Sequence, residues 1–279
     1  MKKNKKNNKK IMYVKAFVFI MLIIYISFGL ISSAKCLKLT KYDYISDKVP
    51  SDFDGYKIIQ ISDLHHKNFG KDQSELISMI NNQNPDLILL TGDIVDGNHT
   101  DMTPVVNLLK GIYKTAPIYF VSGNHELAPQ GKDNYAKLET LFVEYGVVDL
   151  DDSFDIISKG ESSINLYGAK FRSSYVKDYL DTPDTNEFNI LMYHCTNYFD
   201  ITSQFGYDLI FSGHTHGGIV RLPFVGGIFG NTGDVFPKYD KGVYKKESST
   251  MISSGGLGDA KIPRFYNTPE VVLVTLYKK

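Results

Sequence analysis

The sequence predicts an α/β domain carried behind one N-terminal transmembrane helix. Three observations predict it. Short apolar runs alternate with stretches of helical periodicity from residue 56 onward. The polar residues that interrupt this alternation cluster just after the apolar runs. An uncharged stretch of membrane-crossing length follows a Lys-rich N-terminus. On this reading the 279 residues divide into a basic cytoplasmic tail (1–10), a transmembrane anchor (11–34), a polar linker (35–52) and a globular domain (53–279).

The tail is MKKNKKNNKK. Residues 16–34 then run without a charge for 19 positions, against the ~20 that a helix needs to cross the hydrocarbon core. With the Lys run in front of it, the positive-inside rule places the N-terminus in the cytoplasm and the domain outside. The competing reading is a signal peptide cleaved after Ser32-Ser33-Ala34, which would leave a secreted domain. Its apolar stretch is longer than the ~7–15 residues usual for such peptides.

The formal net charge of +0 hides a segregation. Residues 1–41 hold ten Lys and no Asp, Glu or Arg; taking these from the 31 basic residues leaves 21 against 31 acidic ones, about −10 for the remainder. Such a body is a poor partner for nucleic acid, which selects positive surfaces. Two cysteines, Cys36 and Cys195, do not make a disulfide framework.

Within the domain, residues 56–62 (YKIIQIS), 86–91 (DLILLT) and 117–122 (PIYFVS) read as buried strands, with further strands at 164–168, 189–193, 208–211, 251–253 and 271–277. Helices are expected at 74–81, 103–112 and 133–145. The first three strands run into Asp63-Leu64-His65, Gly92-Asp93-Ile94-Val95-Asp96-Gly97 and Gly123-Asn124-His125-Glu126. Residues 189–193 run into His194, and 208–211 run into Gly213-His214-Thr215-His216-Gly217-Gly218. Ligand sites in α/β sheets form beyond the carboxyl ends of strands, so five clusters converge on one rim. Carboxylate, imidazole and amide oxygen without thiolate suit Mn, Fe, Zn or Mg. Seven candidate ligands, Asp63, His65, Asp93, Asn124, His194, His214 and His216, exceed the needs of one catalytic ion and point to two divalent metal ions.

The series D-x-H, G-D-x-x-D, G-N-H-E, a lone His after a strand, and G-H-x-H, over residues 58–218, resembles the calcineurin-like metallophosphoesterase superfamily. The opening SDFDGYKIIQISDLH, the GHTHGG and the closing Pro263-Arg264-Phe265-Tyr266-Asn267 with Pro269-Glu270 resemble a bacterial membrane-associated branch similar to UDP-diacylglucosamine pyrophosphohydrolases; Ile219 stands where that branch usually has Gln. The resemblance implies a four-layer α/β/β/α sandwich. It implies hydrolysis of a phosphate monoester or diester by a metal-bound hydroxide. It places Asp63, His65 and His216 on one metal, Asn124, His194 and His214 on the other, and Asp93 between them. His125 then stabilises the transition state or protonates the leaving oxygen, and Asp96 orients His125 by a hydrogen bond. The expected substrate is a membrane-proximal or lipid-linked phosphoester.

Several neighbours invite other readings. Glu126 is either a carboxylate behind the ligands or a loop charge. His66, His99 and Arg221 read as solvated. Cys195, pointing away from His194 on a strand, reads as a buried, inert thiol. Residues 222–236 (LPFVGGIFGNTGDVF) read as a loop folded onto the core, with a greasy lip for lipid as the alternative. Two rival functions remain at this level: a nuclease on the same core, and a non-catalytic metal-binding module.

Overall fold

Strands that are apolar on both faces belong in the interior of a layered domain. The computed structural model describes residues 2–172, 176–230, 233–259 and 262–279 and has two six-stranded sheets. The first sheet contains β1 (Lys38–Ser46), β2 (Lys57–Ile61), β3 (Leu87–Leu90), β4 (Ile118–Phe120), β5 (Val147–Asp149) and β14 (Glu270–Lys278), in the order β1-β14-β2-β3-β4-β5. The second contains β6 (Ser153–Lys159), β7 (Ser162–Ala169), β8 (Asn189–Cys195), β9 (Leu209–Gly213), β12 (Gly242–Lys246) and β13 (Ser249–Ser253), in the order β12-β13-β9-β8-β7-β6. β10 (Val220–Leu222) and β11 (Gly226–Phe229) form a separate hairpin.

Successive side chains of a strand point to opposite faces, and this period of two builds the layers. In β3, Leu87 and Leu89 enter the layer between the sheets with Ile190, Met192, Leu209 and Phe211. Ile88 and Leu90 face the opposite way, against Leu76, Ile80, Val105, Leu109 and Phe142. Those residues belong to α2 (Ser74–Asn81), α3 (Thr103–Ile112) and α5 (Lys132–Tyr145), a full helical outer layer. The outer face of the second sheet is covered more thinly. One-turn α6 (Phe199–Thr202) supplies Phe199, and Val176, Tyr207 and Tyr239 complete the cover over Leu191, Tyr193 and Met251. The four layers are therefore present, with the last made mainly of turns. The predicted strands and helices of the domain all form. α4 (Asn124–Leu127) is an additional single turn at a strand end.

Residues 35–52, expected as a linker, require a correction. They contain β1, which pairs in parallel with β14 over its whole length, from Lys38↔Glu270 to Ser46↔Lys278. The physical reason is the alternation in Lys38–Ser46: Leu39, Tyr42 and Tyr44 turn inward while Lys38, Lys41, Asp43 and Ile45 face solvent. A half-exposed edge strand has too little apolar content to stand out by composition.

The topology also decides where the N-terminal helix, α1 (Lys2–Lys35), arrives. β14 is antiparallel to β2, and β1 is parallel to β14. β1 therefore begins at the end of the sheet where β2, β3 and β4 finish. Within α1, Lys9–Ala34 is long and apolar enough to span a membrane.

Candidate metal centre

Asp63 follows β2, Asp93 follows β3 and Asn124 follows β4, while His194 lies near the end of β8 and His214 and His216 follow β9. The parallel strands of each sheet all finish on one rim, so the seven predicted ligands meet there. Three overlapping groups have ligand atoms within 4.8 Å of one another: Asp63, His65 and His216; His65, Asp93 and His125; Asp93, His194 and His214. Asn124 lies beside them on α4. The carboxylates and imidazoles among the ligands are buried, whereas Asn124 and His125 are half-buried at the mouth.

Local backbone is bent to achieve this. Asp63, His65, Asp93, His214 and His216 all have positive φ, between 47° and 75°. Non-glycine residues adopt that region at a cost of ~1–3 kcal/mol each, and they persist there when the surroundings enforce it. Gly92, at φ 84°, has no room for a side chain: a Cβ would lie 2.6 Å from the Gly123 nitrogen and 2.7 Å from His194 Nδ1.

The ligands are aimed by identifiable hydrogen bonds. His194 Nδ1 donates to the Thr91 carbonyl at 2.7 Å. In the neutral ring that binds a metal, this leaves Nε2 as the lone-pair nitrogen, 3.2 Å from Asp93 Oδ2 and 4.0 Å from Asp63 Oδ1. Asp93 Oδ1 accepts the His125 backbone N–H at 2.8 Å. Asp63 accepts the His214 backbone N–H and, at 2.6 Å, the Ser62 hydroxyl. Glu126, fully buried, accepts the backbone N–H groups of Asp93, Ile94, Val95 and Gly123 at 2.7–3.1 Å. It thereby ties the loop after β3 to the loop after β4. This resolves the open reading of Glu126: it carries the backbone that carries the ligands.

Arg264 and Asn267 have no role assigned by sequence, yet both brace His216. The buried Arg264 guanidinium donates to the carbonyls of Gly255, Gly258 and His216 and lies 3.2 Å from His216 Nδ1. Asn267 Nδ2 donates to the His216 carbonyl at 2.6 Å. The signal was available in the closing Pro-Arg-Phe-Tyr-Asn segment, but its fold partner was not.

Three expectations need correction. Asp96 does not hydrogen-bond His125. Its carboxylate accepts from the backbone N–H groups of Asn98 and His99 and from His99 Nδ1, and lies 3.5 Å from His65 Nδ1. An Asp before Gly folds its side chain back on the following N–H groups, and this turn points it at His65. His66 is not a solvated residue, whereas His99 is exposed as expected, its Nδ1 bonded to Asp96. His66 is buried, with Nδ1 2.9 Å from the Asp101 carbonyl and Nε2 accepting the Asp96 N–H. Arg221 pairs with Asp240 at 2.6 Å. Cys195 is buried as expected, and burial pushes its thiol up to about 12.

Electrostatics follow from packing carboxylates and imidazoles out of water. Burial disfavours the cationic form of His194, but Asp93 and Asp63 outweigh it and raise its pKa to about 10. His65 is raised in the same contest, burial opposing Asp96, Asp93 and Asp63. His214 falls to about 4, through burial and then His194. His216 is held well below the usual value by burial and Arg264. His125 is lowered by burial.

A divalent metal fits this set. The buried His65 Nε2 and Asn124 Oδ1 have no hydrogen-bond partner, a costly state unless another group takes their lone pairs, and His194 Nε2 faces the Asp93 carboxylate at 3.2 Å. Ligand-atom separations of 3.2–3.8 Å match two ligands each ~2.0–2.2 Å from a shared ion.

The chain's likeness to known proteins agrees with this chemistry. The calcineurin-like phosphoesterase family profile matches residues 56–218. The chain is 30% identical over 259 residues to the uncharacterized metallophosphoesterase YkuE of Bacillus subtilis (strain 168), covering 86% of this chain and 85% of that one. It is 26% identical over 227 residues to the phosphodiesterase YaeI of Escherichia coli (strain K12), covering 79% and 82%. Among solved structures, phosphopantetheinyl hydrolase from Mycobacterium tuberculosis superimposes with a TM-score of 0.43 at 13% identity, over 73% of this chain and 91% of that one.

Proposed function

The chain belongs to the calcineurin-like phosphoesterase family and is a hydrolase of phosphoester bonds, and from that premise we propose a two-metal site acting on a membrane-proximal mono- or diester. The observation that carries the reading is the sharing of Asp93 and His65 between overlapping ligand groups. Asp63, His65 and His216 would hold one divalent ion, and Asn124, His194 and His214 the other, with Asp93 contributing to both. Bound there, the metals would polarise a phosphoryl oxygen and lower the pKa of water.

The chain's own residues do the rest. His125 sits half-buried between the ligands and solvent, its ring 4.7 Å from that of His65, and is assigned to neither ion. It hydrogen-bonds and protonates the leaving oxygen. A phosphoester anion beside it favours imidazolium and offsets the burial that lowers its pKa. Asp96 positions His65, and Glu126 positions Asp93 and Asn124.

α1 is read as an uncleaved anchor with the domain outside the membrane. Support comes from its contacts: Tyr266 Oη donates to the Tyr25 carbonyl, and the Asn267 N–H donates to Ser33 Oγ, both at 2.9 Å. Cleavage after Ala34 would remove both.

The test uses full-length protein in detergent micelles, stripped by chelation and reloaded with Mn²⁺, Zn²⁺ or Mg²⁺. Turnover of bis-p-nitrophenyl phosphate should return with metal. His125→Ala should lose ~10²–10⁴-fold, more on an alkyl phosphoester than on the nitrophenyl ester, whose leaving group needs little protonation. Turnover indifferent to chelation would sink the proposal.

A further inference from the structure

We propose that residues 222–230 and 233–236 form an interfacial lip that enters the surface of a phospholipid bilayer beside the metal centre, so that the ligand-bearing rim faces the headgroups. The inference rests on reading α1 as a membrane anchor, and it goes beyond that reading by assigning a second, independent lipid contact to the domain itself.

The first observation is exposure. Residues 222–236 were expected to fold onto the core; instead Leu222, Phe224, Val225, Phe229, Val235 and Phe236 are exposed, Phe224 completely. Asn231 and Thr232 lie outside the described residues. Apolar side chains clustered on a soluble surface mark a contact with another apolar phase. Phe224 also holds φ 67°, a conformation glycine would take at lower cost. The chain thus presents a phenyl ring at a tip where folding alone favours none.

The second observation is charge. Between Ile219 and Phe236 the charged residues are Arg221, whose guanidinium is already paired with Asp240 and the Gly217 carbonyl, and Asp234, ten residues beyond Phe224. The tip at Phe224 and Val225 carries no charge of its own into a headgroup region.

The third observation is position, and it selects lipid over other occupants. The lip is rooted on the segment that grips α1. Phe265 N–H donates to the Ile219 carbonyl at 3.1 Å, and Arg221 N–H donates to the Phe265 carbonyl at 2.9 Å. The next residue, Tyr266, packs its ring on Tyr25 and Phe28. Tyr25 lies eight residues before Ser33, so the domain runs along ~12 Å of helix. That part of α1 is still uncharged. A domain edge held against it is drawn to the depth of the bilayer surface. Chain topology brings β1, the lip and the metal ligands to the same rim.

The chain contains no Trp, so Phe224→Trp installs a single reporter. The full-length variant is reconstituted into phosphatidylglycerol–phosphatidylethanolamine vesicles with or without acyl chains brominated at shallow or deep positions. Ile45→Trp, on an exposed residue at the far end of β1, reports water, and Phe19→Trp, within α1, reports the anchor. The expected result is loss of more than half of the Phe224→Trp emission, strongest with shallow bromines, as for groups seated ~5–10 Å into the interface, and no loss for Ile45→Trp. Phe224→Trp quenched no more than Ile45→Trp, while Phe19→Trp is quenched, overturns the lip and leaves the anchor standing. Failure at both Phe224 and Phe19 overturns both. A blue-shifted but unquenched Phe224→Trp assigns the patch to protein, such as a second copy of this chain, and also overturns the proposal.

Discussion

Two buried regions of this molecule are built from the same strands one or two residues apart, and they obey opposite rules. Between the sheets, Leu87, Leu89, Ile190, Leu209 and Phe211 are apolar and fully packed on regular backbone. At or just past the ends of the strands of the two sheets, Asp63, Asp93, His194 and His216 are equally buried, but they are polar, and three of the four are held at positive φ. The first region supplies the free energy that the second consumes. Function here is localised strain, set where a well-packed strand can enforce it.

Substitutions test that division. Asp93→Asn should have the largest effect on activity, about 10⁴-fold in turnover, since it removes several kcal/mol of metal-mediated stabilisation. The same variant should leave the melting temperature of metal-free protein unchanged or higher, because a strained buried charge is gone. A drop in that temperature would mean the site contributes to stability after all. Leu209→Ala should do the reverse. It should lose about 2–5 kcal/mol in denaturant unfolding while the folded fraction keeps its kcat.

Glu126→Gln probes the seam between the regions. Its amide would set a donor against backbone donors, two of which each Glu126 oxygen now accepts. Metal affinity should fall about 10–100-fold by titration, with a loss of stability of about 1–3 kcal/mol. A change in one without the other would show that the two loops are held independently.

The smallest effect concerns Asp151, which accepts the backbone N–H and hydroxyl of Ser122 just ahead of Asn124. Burial raises its pKa to about 6. The folded state then binds more protons than the unfolded chain between its unfolded value of ~3.9 and about 6, so this group's contribution falls as pH rises through that window and is lowest above it. Asp151→Asn should flatten melting temperature across that window by the equivalent of about 1–2 kcal/mol. Turnover at neutral pH should stay nearly unchanged. An unaltered pH profile would place the proton elsewhere.

The buried strands were legible because runs such as DLILLT leave no face for water, and the ligand candidates were legible because polar residues at the ends of such runs need a reason to be there. Other features were not. β1 depends on a partner 230 residues away, seen in the Thr40–Glu270 hydrogen bond. The burial of His66 and the orientation of Asp96 depend on how one Asp-Gly turn folds. Arg264 and Asn267 look like loop residues until the chain returns them to His216.

By itself the sequence determined which residues are apolar in strand and helix rhythm, which atoms can bind a hard or borderline cation, and where an uncharged helix long enough to cross a membrane lies. These are local chemical properties, carried by each side chain wherever it goes. Tertiary structure alone decided that Glu126 holds two loops, that Asp96 serves His65 rather than His125, and that the metal rim, the helix end and the apolar tip at Phe224 share one face. Those outcomes depend on strand order and direction, which arise from long-range pairing and cannot be computed from neighbouring residues.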